Sequence, residues 1–230
     1  MNHGVWVGNN IFQENRTLIL GESHYGDENN TNDKIGEPVP YETREVIQEY
    51  LTNRILGIAY EKWYRFFDLI AESFGYSPDS SEEFYNKIWF GNYVPVLCGV
   101  KSGNRAAEYI TKYRLDYNNE LFKYVNVYKI NTIICFSKSV YWNLPSGFKD
   151  ETAEDFILGF IGKRKNIVNI HKYRGNVKHD ACDIVLEMPL TVYGIKHPSS
   201  AGGYNADQVY KFLSERIAIR GLCKYKNGGN

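Results

Sequence analysis

The chain has 230 residues, its 27 Lys and Arg balance 27 Asp and Glu, and 43% of it is hydrophobic. A chain of this length buries roughly 70 to 75% of its unfolded surface in a single domain, so it needs no covalent staple. The four cysteines, Cys98, Cys135, Cys182 and Cys223, form neither a C-x-x-C pair nor a close Cys/His cluster, which argues against a zinc site and most iron–sulfur patterns.

Residues 1–15 lack a basic start and an apolar h-region, and no run of 18 apolar residues occurs anywhere, so a cytoplasmic protein is expected. Residues 16–20, an apolar run stopped by Gly21, read as a short buried strand, and the polar stretch 27–40 as a loop. Helical spacing predicts helices over 42–55 and 58–74; Trp63, Phe66, Phe67 and Ile70 lie along one face of the second and read as core. Ser80 or Ser81 caps a predicted helix over 82–87, and 88–97 reads as extended. One long amphipathic helix is predicted over 105–128, a β-branched strand over 131–137 and a short helix over 139–144. Further strands are predicted over 183–188 and 191–195, a helix over 205–219 and a loose tail over 224–230. Strands separated by helices predict a single α/β domain, a three-layer α/β/α sandwich around a mostly parallel four-stranded sheet. Ligands in such folds bind outside the carboxyl ends of the strands, where the Gly21 turn, Asn92 and His197 can converge.

Net neutrality hides an asymmetry. Residues 22–49 carry eight acids against Lys34 and Arg44, whereas 161–230 carry twelve Lys and Arg against five acids. That split points to an anionic partner for the C-terminal half, nucleic acid first. The segment GKRKNIVNIHKYRGNVKH, residues 162–179, interleaves Lys163, Arg164, Lys165, Lys172, Arg174 and Lys178 with His171 and Tyr173. It reads as a phosphate-tracking groove, with Arg164, Lys165 and Arg174 as its expected contacts; the plain alternative is an exposed hairpin.

The stretch LILGESHYG, residues 18–26, hands the end of the first strand to an acid, a hydroxyl, an imidazole and a phenol. One reading makes Ser23 the nucleophile, Asn92 an oxyanion-hole amide and His197 the base of an esterase. Gly21-Glu22-Ser23 resembles the opening block of the SGNH hydrolases, and His197-Pro198 with Gly202, Gly203 and Tyr204 resembles their last. That family orients its histidine with an aspartate three residues earlier, where this chain has Gly194, and its asparagine block is broken here by Tyr93.

The same residues are similar to a second family, the uracil-DNA glycosylase superfamily. LILGESHYG resembles its water-activating first motif, WFGNYVP (residues 89–95) the segment with its base-reading asparagine, INTIICFSKSVYWNLP (130–145) the following strand and helix, and IKHPSSAGGYN (195–205) its closing H-P-S motif. The order of the four is the family's. The resemblance implies a monofunctional DNA glycosylase that needs neither metal nor organic cofactor, a monomer that acts on DNA and has no membrane role. Glu22 takes the acidic position of one branch, and Ser23 stands where another has its aspartate. Glu22 would then position water and stabilise positive charge on the sugar, assisted by His24, while His197 donates to the leaving base. Asn92 would read the edge of a flipped pyrimidine-type base, with Gly21 and Tyr25 beside it. Ser199 and Ser200 would hold a phosphate, and Tyr204 would enter the base stack as a wedge. The altered first motif leaves the base open: a uracil-like lesion, or a hypermodified cytosine of phage DNA and hence antiviral defence. The competing classes are the esterase and a catalytically inert DNA-binding relative.

Overall fold

The computed structural model describes residues 4–11, 16–26, 35–38, 42–58, 60–100, 106–145, 154–199, 203–216 and 222–224. In chain order the elements are β1 (Trp6–Val7), β2 (Thr17–Gly21), β3 (His24–Gly26), α1 (Glu42–Leu56), α2 (Tyr64–Glu72), α3 (Ser81–Tyr85), β4 (Trp89–Asn92) and β5 (Leu97–Val100). They continue as α4 (Ala106–Lys112), α5 (Arg114–Tyr128), β6 (Thr132–Cys135), α6 (Lys138–Asn143), β7 (Glu154–Ile161), β8 (Arg164–Tyr173), β9 (Leu190–Gly194) and α7 (Ala206–Arg216). This is an α/β protein with a seven-stranded mixed sheet ordered β1-β4-β2-β6-β9-β8-β7, and β3 and β5 pair apart from it. Four neighbours, β4, β2, β6 and β9, run parallel; β1, β8 and β7 extend the sheet in antiparallel pairing. The expected four-stranded sheet is therefore the parallel run inside a wider one.

Side chains alternate across a strand, and here both faces are enclosed. Leu18, Leu20, Ile133, Cys135 and Val192 join one apolar cluster with Ile110 of α4 and Leu121 and Phe122 of α5. Their neighbours Ile19, Ile134 and Phe136 join a second with Ile47 of α1, Phe67 and Ile70 of α2, and Val209 and Phe212 of α7. All five residues of β2 are buried, which is why the first strand reads as an unbroken apolar run.

Several expectations need correction. The helix expected from residue 58 begins at Tyr64, because Gly57 at φ 63° ends α1 and the chain turns before Trp63 caps α2. The long helix over 105–128 is two, broken at Tyr113, whose φ of −113° and ψ of 23° leave the helical region. Arg114 then turns to α6, donating to the carbonyls of Asn143 (2.8 Å) and Leu144 (3.1 Å) at that helix's C-terminal end. No strand forms over 183–188. Side chains of α5 bind its backbone instead: Asn126 donates to Val185 O at 2.8 Å and accepts from Glu187 N at 3.0 Å, and Asn119 accepts from Asp183 N at 2.7 Å. Strands β7 and β8 form the hairpin that the basic segment offered as its plain alternative. Lys224, expected at the head of a loose tail, is anchored through its N–H to Phe74 O (2.9 Å) and its ammonium to Glu83 (3.0 Å). Among the described residues, no helix is long and apolar enough to cross a membrane.

Candidate active site

The register of the parallel run aligns the carboxyl ends of its strands. Gly21 of β2 pairs with Asn92 of β4, Leu20 with Cys135 of β6, and Cys135 with Gly194 of β9. Residues just beyond those ends share one rim: Glu22, Ser23 and His24 after β2, Ser137 after β6, and His197 after β9. Backbone bonds fix the first turn, with Tyr93 N–H on Gly21 O (3.1 Å), Val94 N–H on Glu22 O (2.9 Å) and Phe136 N–H on Leu20 O (2.9 Å).

Glu22 is half-buried and held from the neighbouring strand. The Ser137 hydroxyl donates to Glu22 Oε2 at 2.6 Å while its oxygen accepts the Val140 N–H at 3.1 Å as the N-cap of α6. A serine hydroxyl has one proton, and this one is committed to the carboxylate, which fixes where the acid points. The next residue secures the other flank. Lys138 Nζ donates to the Gly194 carbonyl at 2.6 Å and to Asn169 Oδ1, and burial lowers its pKa to about 8. Sequence reasoning passed over Ser137 as the end of a strand and Lys138 as the link to the next helix. A serine closing a buried apolar run and opening a helix was the available signal.

Gly21 earns its place sterically: a β-carbon there would collide with the side-chain oxygen of Asn92, which lies across the turn. The Asn92 amide nitrogen reaches the His24 ring at 3.3 to 3.4 Å. His24 is buried and its Nε2 also meets Thr43 Oγ1 at 3.1 Å. These contacts tie the His24 ring to Asn92 and to Thr43 of α1. Ser23 Oγ is buried and has no hydrogen-bond partner among the described residues, so neither imidazole is arranged to deprotonate it. Tyr25 lies in β3, and its side chain falls outside the described residues.

His197 Nδ1 accepts the Ser199 N–H at 3.2 Å. The neutral ring must then carry its proton on Nε2, a donor turned away from its own turn. Burial lowers the His197 pKa from its ordinary 6.5, and the Glu22 carboxylate pulls it partly back, so the two groups sense each other across the rim. Phe66 of α2 stacks on the ring, centroids 5.0 Å apart and planes at 28°. Beyond the turn, Lys196 folds over Gly203, where a β-carbon would collide with its Nζ.

The expected DNA contacts divide. Ser199 is exposed, with its N–H already given to His197, and Ser200 lies outside the described residues. Tyr204 is corrected as a wedge: its hydroxyl bonds Ser73 Oγ, its ring meets Phe136 at 6.3 Å, and burial raises its pKa. Arg164 and Lys165 lie at the hairpin tip on the rim side. Arg174 is corrected, because it follows Tyr173, which pairs with Leu190 at the opposite end of β9. Among the described residues, no group of three His, Cys, Asp or Glu is arranged to hold a metal ion. No protein-family model matches the chain, and no curated protein matches it at a significant level.

Proposed function

We propose that the protein is a monofunctional DNA glycosylase. It flips a damaged or modified pyrimidine-type base and hydrolyses its N-glycosidic bond, leaving an abasic site. The observation that carries this reading is the pairing of a carboxylate, Glu22, with a neutral imidazole, His197, whose Nε2–H is a donor on the same rim. Breaking the bond sends its electron pair to the departing base and leaves oxocarbenium character on the sugar. Glu22 stabilises that positive charge and orients the water whose oxygen joins C1′. His197 donates to the base oxygen where negative charge gathers. Asn92, one strand from Glu22 on the other side, offers a donor and an acceptor to the base edge. Neighbouring strands lie about 4.8 Å apart, so the three positions span about 14 Å, a width compatible with a single base between them.

In this reading the fold is a three-layer α/β/α sandwich and the protein a cytoplasmic monomer that uses no metal or organic cofactor. Serine in place of the family's aspartate points away from ordinary uracil repair. The substrates to test first are damaged pyrimidines and the hypermodified cytosines of phage DNA, the latter implying antiviral defence. The esterase reading has less support, since Ser23 Oγ is buried and has no hydrogen-bond partner among the described residues.

The test is a mass-spectrometric screen for free bases released from DNAs of different modification. Glu22→Gln is expected to lower release by roughly 100 to 10,000-fold, while Ser23→Ala keeps a measurable fraction. The reverse pattern restores the esterase; no abasic site on any DNA tested leaves a DNA-binding relative.

A further inference from the structure

The β7–β8 hairpin does more than close the sheet. Asn169 is the last residue of β8 paired with β9, opposite Gly194, and Arg164 to Val168 continue past it on the rim side. Five residues at about 3.4 Å each make a two-stranded arm about 17 Å long. A β-bulge between Ile157 and Gly159 re-aims it. Gly159 has φ 151°, and a side chain there would press on Gln208. Gln208, in the first turn of α7, clasps the arm from one face, accepting from Asn166 Nδ2 at 3.0 Å and donating to Phe160 O at 3.4 Å. Its own N–H is capped by Asn205 at 2.9 Å, so the arm is tied to the segment that follows the His197 turn.

Alternation decides what the other face presents. Asn166, Val168 and Ile170 point to α7, so Lys165 and Ile167 point away, with Phe160 opposite Lys165 and Ile157 opposite Ile167. On that side α6 reaches β8 at Asn169 through Lys138. Beyond it Ile157 is 47% and Phe160 61% exposed. At the tip stand Lys163, Arg164 and Lys165, all exposed, with no acid between residues 156 and 179.

We propose that this open face of the arm binds single-stranded nucleic acid, the strand that flanks the flipped base, with a base stacked on Phe160 and phosphates on Lys165 and, around the exposed tip, on Lys163 and Arg164. The inference rests on the glycosylase reading only for the identity of that strand. An exposed ring beside cations fits a single strand, whose bases offer free π-faces, better than a duplex, whose bases are already stacked. The structural position matches, since the arm rises from the rim that holds Glu22 and His197.

The experiment is binding of the full chain to a single-stranded thymidine oligonucleotide of about 15 nucleotides and to a duplex of equal length, followed by fluorescence anisotropy across a salt series. Phe160→Ala should weaken single-strand binding by about 5 to 100-fold and leave duplex binding nearly unchanged. Replacing Lys163, Arg164 and Lys165 together by Gln should flatten the single-strand salt slope by about 2, at about 0.7 per lost phosphate contact. Both substituted sites are exposed, so circular dichroism should be unaltered. Equal losses on both ligands, or an unchanged slope, overturn the proposal; so does unchanged binding by both variants, the outcome expected if the arm serves an acidic protein instead. Base release is scored separately. Release without any Phe160 effect removes the arm and keeps the glycosylase, whereas a Phe160 effect without release does the opposite.

Discussion

Asn92 and His197 are 105 positions apart in the chain and stand on opposite sides of Glu22 in the sheet order. Their chemistry predicts different phenotypes. In the proposed reading, Asn92→Ala removes the amide that faces the base edge and should relax discrimination between two DNA substrates that differ in the target base, by roughly 1 to 3 kcal/mol. His197→Ala removes a donor aimed at transition-state charge and should slow single-turnover release on both substrates alike. Equal slowing by Asn92→Ala with no effect of His197→Ala would sink the shared pocket. The pH dependence follows from the depressed His197 pKa. Burial favours the neutral ring, so protonation waits until pH falls below the ordinary 6.5, and base release should hold through that value before declining. Phe66→Ala strips the apolar cover from the ring. It should move the acidic limb of the pH–rate profile upward; a limb that stays put means the stacked ring has no part in the shift.

Helix α6 is only six residues long, yet its first turn holds both flanks of the rim. Ser137 caps it and holds Glu22, and Lys138 pins Gly194, three positions before His197. Ser137→Ala should cost about 1 kcal/mol of stability through the lost cap. It should also slow base release, because the hydroxyl that holds the Glu22 carboxylate in place is gone. Ser137→Thr keeps a hydroxyl at the same place and should restore both. If Ser137→Ala alters denaturation but leaves the rate of base release as it was, Ser137 serves the helix alone. The hairpin shows the same dependence of role on element. Arg164 and Arg174 belong to one basic stretch in sequence, but ten residues of extended β8 carry them to opposite ends of the sheet. Only the first stands near the rim.

The molecule as a whole carries buried thiols and phenols whose ionisation opposes folding. Burial raises the pKa of Cys98 to about 11, Cys135 to about 12 and Cys223 to about 11, and pushes Tyr50, Tyr85, Tyr93 and Tyr204 higher still. An acid whose folded pKa is raised contributes stability that is complete below its unfolded value, near 9 for the thiols, and is lost as pH rises toward the folded one. Each such group costs up to about 1.4 kcal/mol per pH unit across its window. Lys138 acts with the opposite sign between about 8 and 10.5, since there the unfolded chain binds the extra proton. One lysine does not offset three thiols and several tyrosines. The denaturation midpoint should therefore fall as pH climbs above 9, and Cys98→Ala should make that fall shallower. A midpoint constant from pH 9 to 11 contradicts it.

Period and punctuation made the parallel run legible. An apolar run stopped by Gly21 could only be an enclosed strand, and the β-branched run before Ser137 likewise, because burial on both faces leaves no polar alternation to mislead. The resemblance in motif order named Glu22, Asn92 and His197, and they can meet because residues just past strand ends gather on one rim whatever their distance in sequence. Tertiary structure decided the rest. The apolar segment 183–188 has strand composition, yet asparagine side chains of α5 take its backbone groups, a competition that local propensity does not register. Tyr204 looked available and is bound to Ser73, 131 positions away. Ser137 looked like a strand's last residue and became the partner of Glu22, because the register of β2 on β6 brings their ends together. Side-chain type and spacing determined the strands of the parallel run and the turns that end them. Which hydroxyl meets which carboxylate depends on pairing between strands more than a hundred residues apart, and only the assembled sheet sets that register.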